Sequence, residues 1–193
     1  MLVRITLALF VILFLTACEN NLPEGLPTTP PTSEGSSGLE NITGMEVTGM
    51  QLISIHFKNS QDIPKEFTCE GDDISPQFAW IKVPDGTKSF ALSMVDPDTP
   101  GRTWHHWLLY NIPSSVKEFA KGEYAGIEVV NDFGRSDYGG PCPPSGKHRY
   151  IFVIYALDVE DLGTGITMVN YFSRVAEHTI EKAELIGLYQ KVR

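Results

Sequence analysis

A carboxylate, an indole and an imidazole are spaced so that a β-hairpin would bring them to one edge of a sheet. Alternate residues of 90–95 and of 104–110 fall on opposite faces, a pattern that predicts two strands. The turn between them contains two prolines and a glycine, which favour turns. Because an antiparallel hairpin returns to where it left, Asp96 should meet Trp104 and His106. These three side chains could bind a polar ligand, hold a metal or catalyse a reaction.

A proline-rich segment leads into a predicted central strand that carries two further polar side chains. Residues 140–144 read Gly-Pro-Cys-Pro-Pro, and prolines in this density stiffen the backbone and permit a cis peptide bond. We therefore expect this segment to form a rigid wall. Residues 150–157 are apolar on both faces, as in a central strand, and His148 and Tyr150 point to the same side at its start.

These residue types suit an anionic ligand. Imidazoles and a phenol can donate hydrogen bonds to phosphate oxygens, an indole offers a flat apolar wall, and prolines limit the size of the cavity. Asp96 could accept a proton from an imidazole or meet the ammonium group of a zwitterionic ligand. We predict that a phosphate-bearing ligand binds more weakly as the pH rises through the histidine range, and we expect no cofactor.

Other interpretations of the same residues stay open. Aspartate, histidines and Cys142 could bind zinc, but adjacent strand residues point to opposite faces, so His105 should face away from the pocket that His106 enters. A hydrolase needs an activated nucleophile, yet no GxSxG motif is present, and Ser136 and Ser145 lie in loops without an evident base. Taken singly, each aromatic residue could belong to the core and an Asp-His pair could be a buried contact. We expect neither a resident metal nor enzymatic activity.

The first 17 residues have the pattern of a secretory signal peptide. One positive charge, Arg4, precedes an apolar run over residues 5–15 that is too short for a typical membrane-spanning helix. The Leu-Thr-Ala directly before Cys18 resembles the bacterial lipobox, in which the cysteine is lipidated and becomes the new N-terminus. An ordinary signal peptide followed by a chance cysteine is the alternative. We expect an exported lipoprotein anchored to the membrane of the bacterial cell envelope.

The composition divides the remaining chain into a tether and one domain. Residues 18–49 are rich in Pro, Thr, Ser and Gly, which predicts a lipidated, disordered tether, and residues 50–193 are long enough for a domain with a core. Removing Arg4 with the signal leaves 14 of 15 basic side chains against 24 acidic ones, so the net charge changes from −9 to −10. This charge argues against nucleic acid as a partner. Cys69 and Cys142 could form a disulfide in an exported protein or remain thiols.

Elsewhere in the domain the periodicity changes from strand to helix. Alternation predicts strands over residues 51–57 and 77–81, and a short strand over 127–130. The last of these lies in a long Gly- and Pro-rich loop, residues 126–146, of a kind that is often functional. Residues 173–191 contain no proline and carry apolar side chains at helical spacing, which predicts an amphipathic helix packed on the sheets.

The order of the motifs DPDTP, WHHW, GPCPP and HRY resembles the phosphatidylethanolamine-binding protein family, also called the Raf kinase inhibitor protein family, in its bacterial branch. The resemblance extends from residue 51 to the C-terminus. It implies a mainly β fold, a two-sheet antiparallel β-sandwich with peripheral helices and a C-terminal helix. It also implies a small pocket for phosphate-like anions, including phospholipid head groups. The pocket positions carried over are Asp96, Trp104, His106, Pro143, His148 and Tyr150, and we expect Asp98, Arg102 and Cys142 at the rim.

One departure from the family pattern concerns this rim. The loop from Gly101 to Thr103 is shorter than in eukaryotic members, and no tyrosine precedes Trp104 where they have one. Arg102 could supply a rim charge instead, while recognition of a kinase partner is in doubt. We expect a membrane-anchored binding protein; the alternative is a protein-interaction module that inhibits a peptidase or a kinase. The natural ligand, a protein partner and a homodimer stay open.

Overall fold

Two β-sheets make up most of the regular secondary structure. The structure is a computed structural model and describes residues 48–192. The strands are β1 Gln51–Ile53, β2 Gln61–Asp62, β3 Phe78–Ile81, β4 Ser89–Asp96, β5 Trp104–Pro113, β6 Glu118–Phe119, β7 Ile127–Glu128, β8 His148–Leu157 and β9 Thr179–Tyr189. A 3-10 helix spans Lys65–Phe67, and an α-helix, α1, spans Tyr171–His178. Within the described residues, the larger sheet has the order β2-β9-β8-β4-β5-β7 and the smaller sheet the order β1-β3-β6. In residues 48–192 no helix has the length and apolar character needed to cross a membrane.

The main core lies between the two sheets. Trp80 of the smaller sheet packs against Phe90 of the larger one, with 5.4 Å between ring centroids. A second apolar cluster, which includes Tyr171 and Val175 of α1, packs against further residues of the larger sheet. Because β4 and β8 are buried along most of their length, their sequences are apolar nearly throughout, as predicted for residues 150–157. The prediction of a mainly β fold with two sheets is confirmed.

Strands β4 and β5 form the predicted hairpin. They pair antiparallel with Asp96 opposite Trp104 next to the turn. β8 pairs antiparallel with the other edge of β4, and Val95 lies opposite Ile151. The start of β8, at His148, therefore lies at the same end of the sheet as Asp96 and Trp104.

The predicted C-terminal helix is wrong for most of its length. The helix ends at His178, and Thr179–Tyr189 forms strand β9, which pairs along the whole of β8. Alternate side chains of β9, among them Ala183 and Leu185, are buried in the main core. Helical spacing and strand alternation both fit this segment locally, but a helix here would leave one edge of β8 without backbone partners. Pairing with a buried strand outweighs the weak local preference for helix.

Smaller differences concern the ends of elements and the region before the domain. β1 ends at Ile53, so the strand predicted over residues 51–57 is shorter than expected, and β7 is shorter likewise. Among the described residues the peptide bonds are all trans, so the cis bond considered for residues 140–144 is not found. The predicted signal peptide, Cys18 and most of the predicted tether lie outside the described residues.

Candidate functional site

A cavity of about 330 Å³ lies at the end of the larger sheet where the β4–β5 hairpin turns. Its walls come from the hairpin and its turn, from the loop that carries Phe133, and from the proline-rich segment. The lining residues are Asp96, Thr99, Pro100, Arg102, Trp104, His106, Phe133, Cys142 and Pro144.

The residues predicted from the sequence reach this cavity to different degrees. Asp96, Trp104 and His106 line it, together with Arg102 and Cys142 from the predicted rim. His148 and Tyr150 stand outside the lining but contact residues within it. His148 is hydrogen-bonded to Asp96, and the ring of Tyr150 packs edge-on against His106 with 5.2 Å between centroids. Pro143 is buried and does not line the cavity. Pro144 lines it instead.

One ring nitrogen of the buried His106 is already bonded. Nδ1 lies 2.6 Å from the carbonyl oxygen of Gly139. Because a carbonyl oxygen can only accept, Nδ1 carries a proton and donates it. In the neutral ring Nε2 then has a lone pair, which accepts a hydrogen bond and cannot donate one. Burial lowers the pKa of His106 against the opposing effects of the Gly139 carbonyl and the Asp96 carboxylate, and this favours the neutral ring.

Asp96 and His148 form a buried pair beside the cavity. Nδ1 of His148 lies 2.8 Å from Oδ2 of Asp96, and the backbone N–H of Asp98 donates to Oδ1 at 2.8 Å. The side chains of His148 and Asp96 are only 8% and 2% exposed. The carboxylate thus orients the imidazole with a proton on Nδ1, one of the roles considered for Asp96 on sequence grounds.

Two buried donors in this region have no hydrogen-bond partner among the described residues, namely Nε1 of Trp104 and the hydroxyl of Tyr150. The Asp96 carboxylate and the backbone of Cys142 are polar neighbours of that hydroxyl, but neither makes a hydrogen bond of acceptable geometry with it. Burial, reinforced by the charge of Asp96, raises the pKa of Tyr150, so the hydroxyl keeps its proton. A buried donor without an acceptor costs about 1–3 kcal/mol. Trp104 lines the cavity, so its Nε1 is suited to an acceptor that a ligand supplies, whereas Tyr150 stands outside the lining and contacts it through His106.

Phe133 completes the apolar wall, and motif analysis did not single it out. Its ring packs edge-on against Trp104 and His106, at 5.5 and 5.2 Å between centroids. Gly139 makes room for this ring, because a Cβ there would lie 2.4 Å from a ring carbon of Phe133. The signal that points to Phe133 is its place in the long loop of residues 126–146, whose composition predicts a functional loop.

Arg102 lies at the mouth with its charge already paired. Its guanidinium is 4.8 Å from the centroid of the Trp104 ring, and its Nη1 is 2.7 Å from Oδ1 of Asp132. Oδ2 of Asp132 accepts from the backbone N–H of His105 and lies 2.9 Å from its Nδ1. His105 thus makes its contacts outside the cavity lining, as strand alternation predicts.

Asp98, which was expected at the rim, lies outside the lining and binds Arg149 instead. The backbone N–H and the Nε of Arg149 donate to Oδ2 at 2.9 Å, and its Nη2 donates to Oδ1 at 2.6 Å. These hydrogen bonds lower the pKa of Asp98 to about 2. The pair ties the turn of the hairpin to the start of β8.

A disulfide joins Cys142 of the proline-rich wall to Cys69, with 5.4 Å between the Cα atoms. Two hydrogen bonds accompany it, from Cys69 N–H to Pro141 O at 3.2 Å and from Gly140 N–H to Asp73 Oδ1 at 2.7 Å. Of the two alternatives left open by the sequence, the structure has the bridge. The sulfur of Cys142 is therefore unavailable as the thiolate ligand that a zinc site would use. Within residues 48–192 no three His, Cys, Asp or Glu side chains are grouped as metal ligands would be.

Known proteins resemble this chain over the whole domain. A family model described as phosphatidylethanolamine-binding protein matches residues 53–190. A UPF0098 protein of Aquifex aeolicus is 45% identical over 152 residues, which cover 74% of this chain and 89% of the relative. The crystal structure of a phosphatidylethanolamine-binding protein homolog, CT736 of Chlamydia trachomatis, matches with a TM-score of 0.71 at 38% identity, covering 75% of this chain and 99% of the other. Escherichia coli YbcL, described as a member of the mammalian family, matches with a TM-score of 0.70 at 30% identity, covering 74% and 99%. The chain therefore belongs to the phosphatidylethanolamine-binding protein family.

Proposed function

We propose that the protein binds a phosphate-bearing ligand in the cavity at the hairpin end, either a small molecule or a phospholipid head group. The observation that carries the proposal is the pair of buried donors, Trp104 Nε1 and the Tyr150 hydroxyl, which lack an acceptor among the described residues. Phosphate oxygens are strong acceptors. Trp104 lines the cavity and Tyr150 packs against His106 within the lining, so we infer that a bound phosphate meets Trp104 Nε1 and comes within reach of the Tyr150 hydroxyl. The family and its solved member from Chlamydia trachomatis bear names that describe binding, which agrees with a binding role.

The size and walls of the cavity suit a head group rather than a whole lipid. A volume of about 330 Å³ is at the lower end of the range of small-molecule sites. Trp104 and Phe133 offer aromatic surface to the part of the ligand next to the phosphate. The Arg102 guanidinium at the mouth adds a positive charge that attracts anions, although its pairing with Asp132 reduces the effect.

Calorimetric titration of the full chain with inorganic phosphate and with phosphoethanolamine tests the proposal. Replacing Trp104→Phe keeps an aromatic ring and removes the indole donor, so the affinity for both ligands should fall about tenfold, as for a lost hydrogen bond to a charged group. Trp80→Phe is the matched control, because Nε1 of Trp80 is also buried without a partner but lies in the main core. Equal affinity of wild type and Trp104→Phe, both shown to be folded by circular dichroism, would contradict the proposed site.

We also propose that lipidation of Cys18 anchors the protein to the membrane of the bacterial cell envelope. The supporting observation is the sequence Leu-Thr-Ala-Cys directly after an apolar segment. Replacing Cys18→Ala should move the protein from the membrane fraction to the soluble fraction, because several acyl chains hold a protein far more firmly than one. Retention of the variant in membranes that have been washed with high salt would rule out the lipid anchor.

A further inference from the structure

The hydrogen-bonding groups of the cavity restrict the protonation state of the ligand. We propose that the site selects a singly protonated phosphate monoester over a phosphodiester, and that Nε2 of His106 accepts the hydrogen bond from the ligand's P–OH group. This inference rests on the proposed function and narrows it to one class of ligand.

The His106 ring is held in one orientation by the backbone of Gly139. His106 and Gly139 are joined by two hydrogen bonds, from Nδ1–H to Gly139 O at 2.6 Å and from Gly139 N–H to His106 O at 3.3 Å. The side-chain amide of Asn131 also donates to His106 O at 3.0 Å. Moving the ring proton from Nδ1 to Nε2 would leave the Gly139 carbonyl without this donor. A neutral His106 therefore presents an acceptor, not a donor, to a ligand in the cavity.

Three carboxylates act on that ring. Asp96 lines the cavity and is almost fully buried, and the carboxylates of Asp73 and Asp132 also act on His106. The basic groups near these carboxylates are already engaged with acidic partners: Arg102 with Asp132, Arg135 with Asp73, Arg149 with Asp98, and His148 with Asp96 itself. A dianionic phosphate would thus meet the negative charge of Asp96 in poorly solvated surroundings. A singly protonated phosphate carries half of that charge and therefore meets about half of the repulsion.

The chemistry of phosphate esters separates two kinds of ligand on these grounds. A monoester has a second ionisation near pH 6, so close to neutral pH it can retain one P–OH group. That group can donate to His106 Nε2 while the other oxygens accept from Trp104 Nε1 and the Tyr150 hydroxyl. A diester has no P–OH group, so it requires His106 to be protonated first. Burial of the imidazole opposes that protonation.

Methyl phosphate and dimethyl phosphate are matched probes, since they differ by one methyl group on a phosphate oxygen. We would titrate each into the full chain from about pH 5 to about pH 8, which spans the ionisations of histidine and phosphate. Methyl phosphate should bind at least about tenfold more tightly throughout. At the alkaline end it should take up about one proton on binding, measured by calorimetry in two buffers of different ionisation enthalpy.

A His106→Gln variant tests whether His106 sets this preference. The amide nitrogen of Gln can occupy the place of Nε2 and donate without protonation. The affinity ratio of the two probes should then approach one, and the proton uptake should disappear, whereas His178→Asn should keep both. Should the Gln variant fail to fold, nitrogen NMR of the wild-type complex with methyl phosphate gives the same information, with an unprotonated Nε2 expected.

The outcomes separate this inference from the proposed function. Equal binding of the two esters, or binding of methyl phosphate at alkaline pH without proton uptake, overturns the inference and leaves phosphate binding intact. If the folded chain binds neither ester nor inorganic phosphate at any pH, the proposed function fails together with it.

Discussion

The same pair of side chains occurs at both ends of strand β8, in very different surroundings. His148, the first residue of the strand, lies 2.8 Å from Asp96, and the two side chains are 8% and 2% exposed. Asp158, which follows the strand, lies 3.0 Å from His178, and these side chains are 59% and 33% exposed. The distances are similar, so the difference between the pairs is their access to water.

Access to water decides what each pair contributes. Water can replace either partner of the pair His178–Asp158, and exposed ion pairs typically contribute at most about 1 kcal/mol. At the cavity end, the Asp96 carboxylate depends on His148 and on the N–H of Asp98 to offset the loss of hydration. The buried pair therefore fixes the orientation of His148, whereas the exposed pair is a surface contact. Four predictions test this contrast between the cavity end and the helix end of the sheet.

The largest effect is expected from the disulfide, which constrains only the cavity end. Replacing both Cys69→Ser and Cys142→Ser opens a loop whose ends are 73 residues apart. The chain-entropy relation for this separation gives a loss of about 4 kcal/mol in the free energy of unfolding. Urea denaturation measures the loss, and imidazole NMR signals should change at His148 and stay constant at His178. Equal changes at both histidines would show that the two ends are not independent.

The second effect compares the two carboxylates directly. Asp96→Asn removes the carboxylate charge from the buried pair and should lower the free energy of unfolding by about 3 kcal/mol, because the buried His148 loses its charged partner. Asp158→Asn makes the same change at the exposed pair and should lower it by less than about 0.5 kcal/mol. Urea denaturation of both variants provides the measurement. Similar losses for the two variants would refute the argument from burial.

The third effect is a dependence of stability on pH at the cavity end. Burial lowers the pKa of His106, so the unfolded chain binds a proton more readily than the folded one, and stability rises with pH. The contribution of His106 to the free energy of unfolding is complete above the ordinary histidine pKa of about 6.5. It is lost as the pH falls toward the lowered pKa of the folded state. Unfolding free energies measured across this range should show a weaker dependence for His106→Gln than for wild type. His178→Asn should retain the wild-type dependence, and a parallel loss in that variant would contradict the assignment to His106.

Local sequence signals predicted the hairpin and the residues that it carries. Alternation and turn-forming residues are both local, and the antiparallel pairing that follows from them brings Asp96 and Trp104 together. The C-terminal strand was missed because its conformation depends on pairing with β8, a partner about 30 residues away that local periodicity does not reveal. Local sequence patterns thus predict a site on a hairpin better than a site that distant segments complete.

The loop side of the cavity was predicted only in part for a related reason. Residues 139–144 have no regular secondary structure, so alternation gives no guide to which proline faces the cavity, and Pro144 lines it where Pro143 was expected. The protonation pattern of His106 depends on a single carbonyl oxygen, that of Gly139, whose position follows from the folded loop. Residue types alone suggested that imidazoles donate to the ligand, whereas the geometry makes the neutral His106 an acceptor.

The smallest effect concerns two buried tyrosines that differ in having a partner. The hydroxyl of Tyr171 has acceptors in Leu92 O and Leu109 O at 2.8 and 2.9 Å, whereas that of Tyr150 has none among the described residues. Tyr171→Phe should therefore lower the free energy of unfolding by about 1 kcal/mol and leave phosphate affinity unchanged. Tyr150→Phe should instead raise the free energy of unfolding by up to about 1 kcal/mol. The same Tyr150→Phe variant should bind inorganic phosphate about tenfold more weakly, because a donor to a charged group is lost. Urea denaturation and calorimetry of the two variants measure this crossed pattern. If Tyr150→Phe loses stability as Tyr171→Phe does, the Tyr150 hydroxyl has a hydrogen-bond partner within the fold and no longer supports the proposal of a bound ligand.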